Sequence, residues 1–196
     1  MLKLKISQVG EAVLRQSARP LTKEEILSAE TQRLIDLMRE TMRDAPGVGL
    51  AAPQVGLSIQ LAVIEDQQSY IEKMPPSHAS ERERVPVPFH VLINPTITPV
   101  GSEIADFFEG CLSLAGFVGI VGRSLSVHVE ALNEKAEPVV IDARGWYARI
   151  LQHEIDHLRG TLYIDHMHTR SFMSIENHAR YWKDLGTSEI AKALGL

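Results

Sequence analysis

The chain has 196 residues, of which 44% are hydrophobic and 23% charged, so it is long enough for one substantial core and has neither a disordered nor a fibrous composition. Twenty basic against twenty-five acidic side chains give a formal charge of −5, which excludes the basic footprint of a nucleic-acid binder. A single cysteine excludes an internal disulfide and points to a reducing compartment.

At the start, polar Ser7, Gln8, Gly10 and Glu11 interrupt any apolar run of leader length. No later stretch approaches the roughly 20 apolar residues of a membrane span, so a soluble cytoplasmic protein with no membrane partner is expected. Thr22 and Glu25 read as a capping box opening a helical region, with Leu34, Ile35, Met38 and Met42 as its apolar stripe and Pro46-Gly47 beyond its end. Ile59, Leu61 and Val63 alternate as in a strand. The run from 66 to 90 turns polar, charged and proline-bearing, and reads as a surface insertion within one domain spanning 1–196. Val91–Ile93, Ile104–Phe108, Leu125–Leu132 and Val139–Ile141 read as short strands, with a turn at Asn133-Glu134-Lys135.

From Gly145 to about Arg159 the pattern is helical, and Trp146, Ile150, His153 and His157 share a narrow arc. Ser174 caps a helix running to about Asp184, and Thr187 or Ser188 begins a last one. Strands and helices do not alternate as βαβ units. The predicted class is α+β: short, mainly antiparallel sheets packed around the central helix, with helices near both ends.

That central helix carries His153-Glu154-Ile155-Asp156-His157, an H-E-x-x-H motif. Two imidazoles one turn apart reach a common cation, and Glu154, offset by about 100°, is left to move a proton. A third ligand is required to complete a catalytic site with one open position. Tyr163 occupies the place where a zinc endopeptidase often has a third histidine, and Glu176 and Glu189 are the downstream carboxylates. Cys111, in Glu109-Gly110-Cys111-Leu112-Ser113, offers a Cys/His/His set suited to iron(II), zinc, nickel or cobalt; a small buried hydrophobe is its other reading. Gly47-Val48-Gly49-Leu50-Ala51-Ala52-Pro53-Gln54 matches a dinucleotide fingerprint only superficially, because it follows a helix and Pro53 falls where a new helix would propagate. Close backbone approach to a ligand, with Gln54 donating to an oxyanion, is one reading; small-residue packing is the other.

Together and in this order, the segments at 47–54, 109–113 and 152–158 (Gln-His-Glu-Ile-Asp-His-Leu) strongly resemble the peptide deformylase family. The resemblance implies Cys111, His153 and His157 as metal ligands and Glu154 as general base and acid. It implies that Gln54 and the Leu112 N–H stabilise an oxyanion, and that Gly49 offers main chain to an extended peptide. Val48, Glu109 and Gly110 are expected as further substrate contacts, with Trp146 and Ile150 as a wall of the methionine pocket. The implied reaction removes the N-formyl group from the formylmethionine of nascent peptides and releases formate, with one divalent ion per chain, iron(II) first, and zinc, nickel or cobalt as substitutes. A contact with the ribosome near its exit tunnel is a further implied partner, and the oligomeric state stays open. Leu114-Ala115-Gly116 after the second motif and the 66–90 insertion resemble the subset that includes organellar enzymes. An H-E-x-x-H zinc endopeptidase and a non-catalytic peptide-binding relative are the alternatives.

Overall fold

The computed structural model describes residues 3–196; Met1 and Leu2, at the head of the segment read above for a leader, lie outside the described residues. The Thr22 hydroxyl accepts from the Glu25 N–H at 3.2 Å while the Glu25 carboxylate accepts from the Thr22 N–H at 2.8 Å, and this capping box opens α1 (Lys23–Leu27). The single helical region expected from the sequence is broken at Ser28, whose backbone is extended and whose hydroxyl caps a second helix, α2 (Ala29–Asp44), through the Thr31 N–H. Ile35, Met38 and Met42 of α2 are buried.

Two antiparallel sheets carry the rest. One has the order β1 (Gly49–Ala51), β2 (Leu61–Asp66), β3 (Val87–Pro99), β6 (Ser126–Leu132), β7 (Pro138–Arg144); the other pairs β4 (Ile104–Cys111), β5 (Leu114–Ser124) and β8 (Met173–Ser174). Leu61 and Val63 of β2 pack with Met38 and Met42 of α2, whereas Ile64 packs with Leu151 and Ile155 of α5 (Gly145–Leu158). The five-stranded sheet is therefore covered on both faces, which is why Leu61 to Ile64 are all buried and the alternation expected from the sequence gives way to a continuous apolar run. The helix bearing the histidines is held against that sheet, as an α+β arrangement around a central helix requires.

Several boundaries differ from the sequence reading. β5 had no sequence signal of its own because Gly116, Gly119 and Gly122 dilute it. Two of these glycines serve packing: a Cβ on Gly119 would stand 2.8 Å from Met167 Sδ, and one on Gly122 would stand 2.9 Å from Asp106 Oδ1. β3 runs well past Val91–Ile93, with an irregularity near Asn94 (φ 51°) that absorbs Pro95. The 66–90 segment folds into α3 (Gln68–Ile71) and α4 (Pro76–Glu81) before returning to β3. Asn133 makes the anticipated turn, its side-chain oxygen accepting from the Lys135 and Glu137 N–H groups at 2.9 Å each.

Ser174 caps α6 (Ile175–Tyr181), which stops short of Asp184, and α7 (Thr187–Leu194) follows. Ile190 of α7 packs against Phe108 and Ile120 on the three-stranded sheet. Among the described residues no helix is long and apolar enough to cross a membrane.

Candidate active site

β4 ends at Cys111, and the turn through Leu112 and Ser113 into β5 carries the sulfur toward α5. Cys111 Sγ lies 3.2 Å from His157 Nε2, and Cys111, His153 and His157 each offer a ligand atom within 4.8 Å of the others. Two atoms sharing one tetrahedral ion at Zn–S and Zn–N lengths stand roughly 3.5 Å apart, so this donor set fits a divalent metal. The endopeptidase ligands weighed above are placed otherwise: Tyr163 donates its hydroxyl to the Phe117 carbonyl at 3.2 Å and stacks its ring on His153.

The orientation of His153 is set from behind. Its Nδ1 meets Glu109 Oε2 at 3.0 Å, leaving Nε2 for the sulfur side. Glu109 also accepts from Arg123 Nε at 2.8 Å, Arg123 Nη2 at 3.0 Å and Arg149 Nη1 at 2.6 Å, and Arg123 continues to Asp156 at 2.5 Å. Burial alone would raise the Glu109 pKa, but the His153 and Arg123 hydrogen bonds outweigh it and hold the carboxyl far below its usual range. Burial likewise opposes charge on His153, yet Cys111 and Glu109 raise its pKa well above the ordinary value. With His157, burial and the neighbouring His153 drive the pKa well down, keeping that ring neutral, as a metal ligand must be.

Glu109, expected among the substrate contacts, borders the cavity, and both of its carboxylate oxygens are committed to Arg123, Arg149 and His153. Replacing it with Gln leaves Arg149 without a counter-charge and Arg123 with Asp156 alone, and loosens His153. The expected result for Glu109→Gln is a 10–100-fold weaker metal affinity, measured by competitive chelator titration.

Glu154 faces the other way on α5, 3% exposed, with Oε2 buried and lacking a protein partner. Its neighbour is Gly49 of β1: a Cβ there would stand 2.2 Å from Glu154 Oε1. Burial raises the Glu154 pKa to about 7, against the opposing pull of His153. Gln54 sits in a 3-10 turn, Ala52–Val55, entered through Pro53. Its Oε1 accepts from the Ala51 N–H at 2.8 Å, which fixes the amide so that Nε2 points to Cys111 Sγ at 3.5 Å and Ser113 Oγ at 3.3 Å.

These groups open on one cavity of about 450 Å³, whose lining includes Val48, Gly49, Gln54, Gly110, Cys111 and Leu112 on one side. Trp146, Ile150, His153 and Glu154 line it from α5, and Glu109 borders it; His157 is set deeper. Arg123, Arg149 and Tyr163 were not anticipated as parts of this site. A buried arginine leaves little mark in a sequence, although Arg149 stands one helical turn before His153.

A half-buried sulfur and two imidazoles fit for one divalent ion, beside an orphaned carboxylate and an oriented amide in a cleft, define a metal-dependent hydrolase. The Polypeptide deformylase family model matches residues 3–172. With a match over that much of its length, the chain belongs to this family. It is 45% identical over 172 residues to the chloroplastic peptide deformylase 1A of Solanum lycopersicum, covering 88% of this chain and 62% of the tomato protein. It is 44% identical to peptide deformylase 3 of Streptomyces avermitilis, covering 98% and 84%. The Met-Ala-Ser-bound crystal structure of the class I type b peptide deformylase from Acinetobacter baumannii superposes with a TM-score of 0.75 at 32% identity, over 85% of this chain and 99% of that one.

Proposed function

We propose that this chain removes the N-formyl group from the N-terminal formylmethionine of newly made proteins, releasing formate and a free amine, with Glu154 as the proton-transfer group. The observation that carries this reading is the unpartnered Glu154 oxygen beside the cavity that Cys111 and His153 line, with the His157 donor atom set behind them. Met-Ala-Ser in the Acinetobacter relative is what hydrolysis of formyl-Met-Ala-Ser leaves behind. The whole is one catalytic domain, with 66–90 as its surface excursion.

Cys111, His153 and His157 hold one divalent ion, which when bound supplies an activated water and polarises the formyl carbonyl. One sulfur with two imidazoles suits iron(II), zinc, nickel or cobalt, and iron(II) is put first because the family resemblance implies it. Glu154 takes a proton from water and later returns it to the leaving amine. Gln54 Nε2 and the Leu112 N–H meet the negative charge that builds on the formyl oxygen. Val48, Gly49 and Gly110 offer main chain to an extended peptide, and Trp146 and Ile150 border the side chain of its first residue. A site closed around a formyl hydrogen excludes acetyl by size.

The test is formate release from formyl-Met-Ala-Ser by protein purified anaerobically and loaded with iron(II). Turnover is expected for the wild type, and loss of both metal and turnover for Cys111→Ser. An endopeptidase with a downstream ligand would keep its metal in that variant. No formate from the loaded wild type would overturn the assignment.

A further inference from the structure

The excursion at 66–90 has no part in the chemistry above, yet its returning end is fastened to the first turn of the catalytic helix. The Trp146 N–H, one of the donors a helix start leaves free, bonds the Arg82 carbonyl at 2.9 Å. Arg144, just before α5, bonds Glu83 at 2.9 Å. Gly145 between them has φ +64°, and a Cβ there would stand 2.6 Å from Glu83 Cβ, so the contact requires glycine. Arg84 then turns inward. Its side chain is 10% exposed and binds Asp66 at the end of β2 in a fork, Nε at 2.7 Å and Nη2 at 2.8 Å, and the Asp66 side chain is fully buried.

Arg84 Cζ lies 5.4 Å from the Trp146 ring centroid, with Arg82 at 5.0 Å and Arg149 at 5.9 Å. The indole is thus held by three cations, two of them fixed by buried carboxylates. Arg84, Trp146 and Ile150 line the same cavity as Glu154. A guanidinium stays in such a place only when paired, and a two-pronged pair to a buried carboxylate is rigid in a way that a lysine cannot reproduce.

We propose that Arg84 is a specificity-determining residue: braced by Asp66, it pins Trp146 and closes the end of the side-chain pocket, so that the excursion sets how large a first side chain the enzyme accepts. This rests on the cavity being the formyl-peptide site. Closing a pocket acts on ground state and transition state alike, so its loss appears in KM and in substrate preference and leaves kcat nearly unchanged.

The experiment compares kcat and KM for formyl-Met-Ala-Ser and the bulkier formyl-Phe-Ala-Ser. The variants are Arg84→Lys and the double variant Asp66→Asn with Arg84→Met, which removes both charges together and leaves neither buried alone. In the double variant KM for the methionine peptide should rise about tenfold with kcat within twofold, and the phenylalanine-to-methionine ratio of kcat/KM should rise about tenfold, within the range a change of pocket size commands. Arg84→Lys keeps a charge on Asp66, and with it the fold, and should move the ratio the same way by about threefold. An unchanged ratio in both variants, whatever happens to their melting temperatures, would reduce Arg84 to a structural strap and overturn the proposal. A wild type inactive on both peptides would instead sink the functional reading together with it.

Discussion

Glu154→Gln is expected to lower kcat for formyl-peptide hydrolysis by roughly 10³–10⁴ while leaving the metal content unchanged. The side chain keeps its shape beside Gly49, and the donor atoms of Cys111, His153 and His157 are untouched, so only proton transfer is removed. Steady-state kinetics with elemental analysis of the same sample is the check. A variant that loses metal and rate together would show Glu154 to be structural.

A second consequence separates the carboxylate's function from its energetic cost. Because the folded-state pKa lies near 7, above the usual carboxylate value of 4.5, the native metal-free protein holds a proton that the unfolded chain gives up between those limits. Stability contributed by this group is fully present below pH 4.5 and is lost as the pH rises through 7, by an amount on the order of 3 kcal/mol. Glu154→Gln cannot titrate, so the difference in unfolding free energy between the metal-free proteins should drift in the variant's favour across that window. Denaturant titrations at pH 5 and pH 8 measure it; a constant difference would mean that burial does not raise the Glu154 pKa.

The two histidines and their helix were legible because their spacing is local, whereas Cys111, distant in sequence, was assigned as a ligand only through the resemblance. His153 and His157 stand one turn apart, and Trp146 and Ile150 fall on the same arc, so periodicity alone orients them. The Thr22 capping box, the Ser174 cap and the Asn133 turn were legible for the same reason: each is a side chain bonding backbone two to four residues away. What stayed hidden is non-local. Nothing within ten residues of Glu109 announces that Arg123 and Arg149 will meet it, since those bonds form only when β4, β5 and α5 are packed. The β5 strand failed to register because its glycines serve neighbours distant in sequence, Met167 and Asp106, at a cost to strand propensity. Ser28 is a different case: a visible cap residue whose reading as helix interior gave one helix where two form.

Gly49→Ala should abolish activity nearly as completely as loss of Glu154, by roughly 10³ or more, although alanine adds one methyl group. The new Cβ would stand 2.2 Å from Glu154 Oε1 and 2.5 Å from its Cδ, far inside contact distance. Neither backbone can yield cheaply. Gly49 is paired to Ile64 in the sheet, and Glu154 rides on a helix whose Leu151 and Ile155 are buried in the core. The strain therefore falls on the Glu154 side chain, which must swing away from the position where its free oxygen faces the cavity, or on β1, whose Gly49 lines the cavity together with the preceding Val48. Overpacking of this kind costs about 1–3 kcal/mol, so the protein should still fold and bind metal. The diagnostic comparison is with the double variant Gly49→Ala, Glu154→Ala: removing the crowded carboxylate should restore the melting temperature but not the rate. A single Gly49→Ala variant with near-normal turnover would mean that the carboxylate works from a different position than the one against β1.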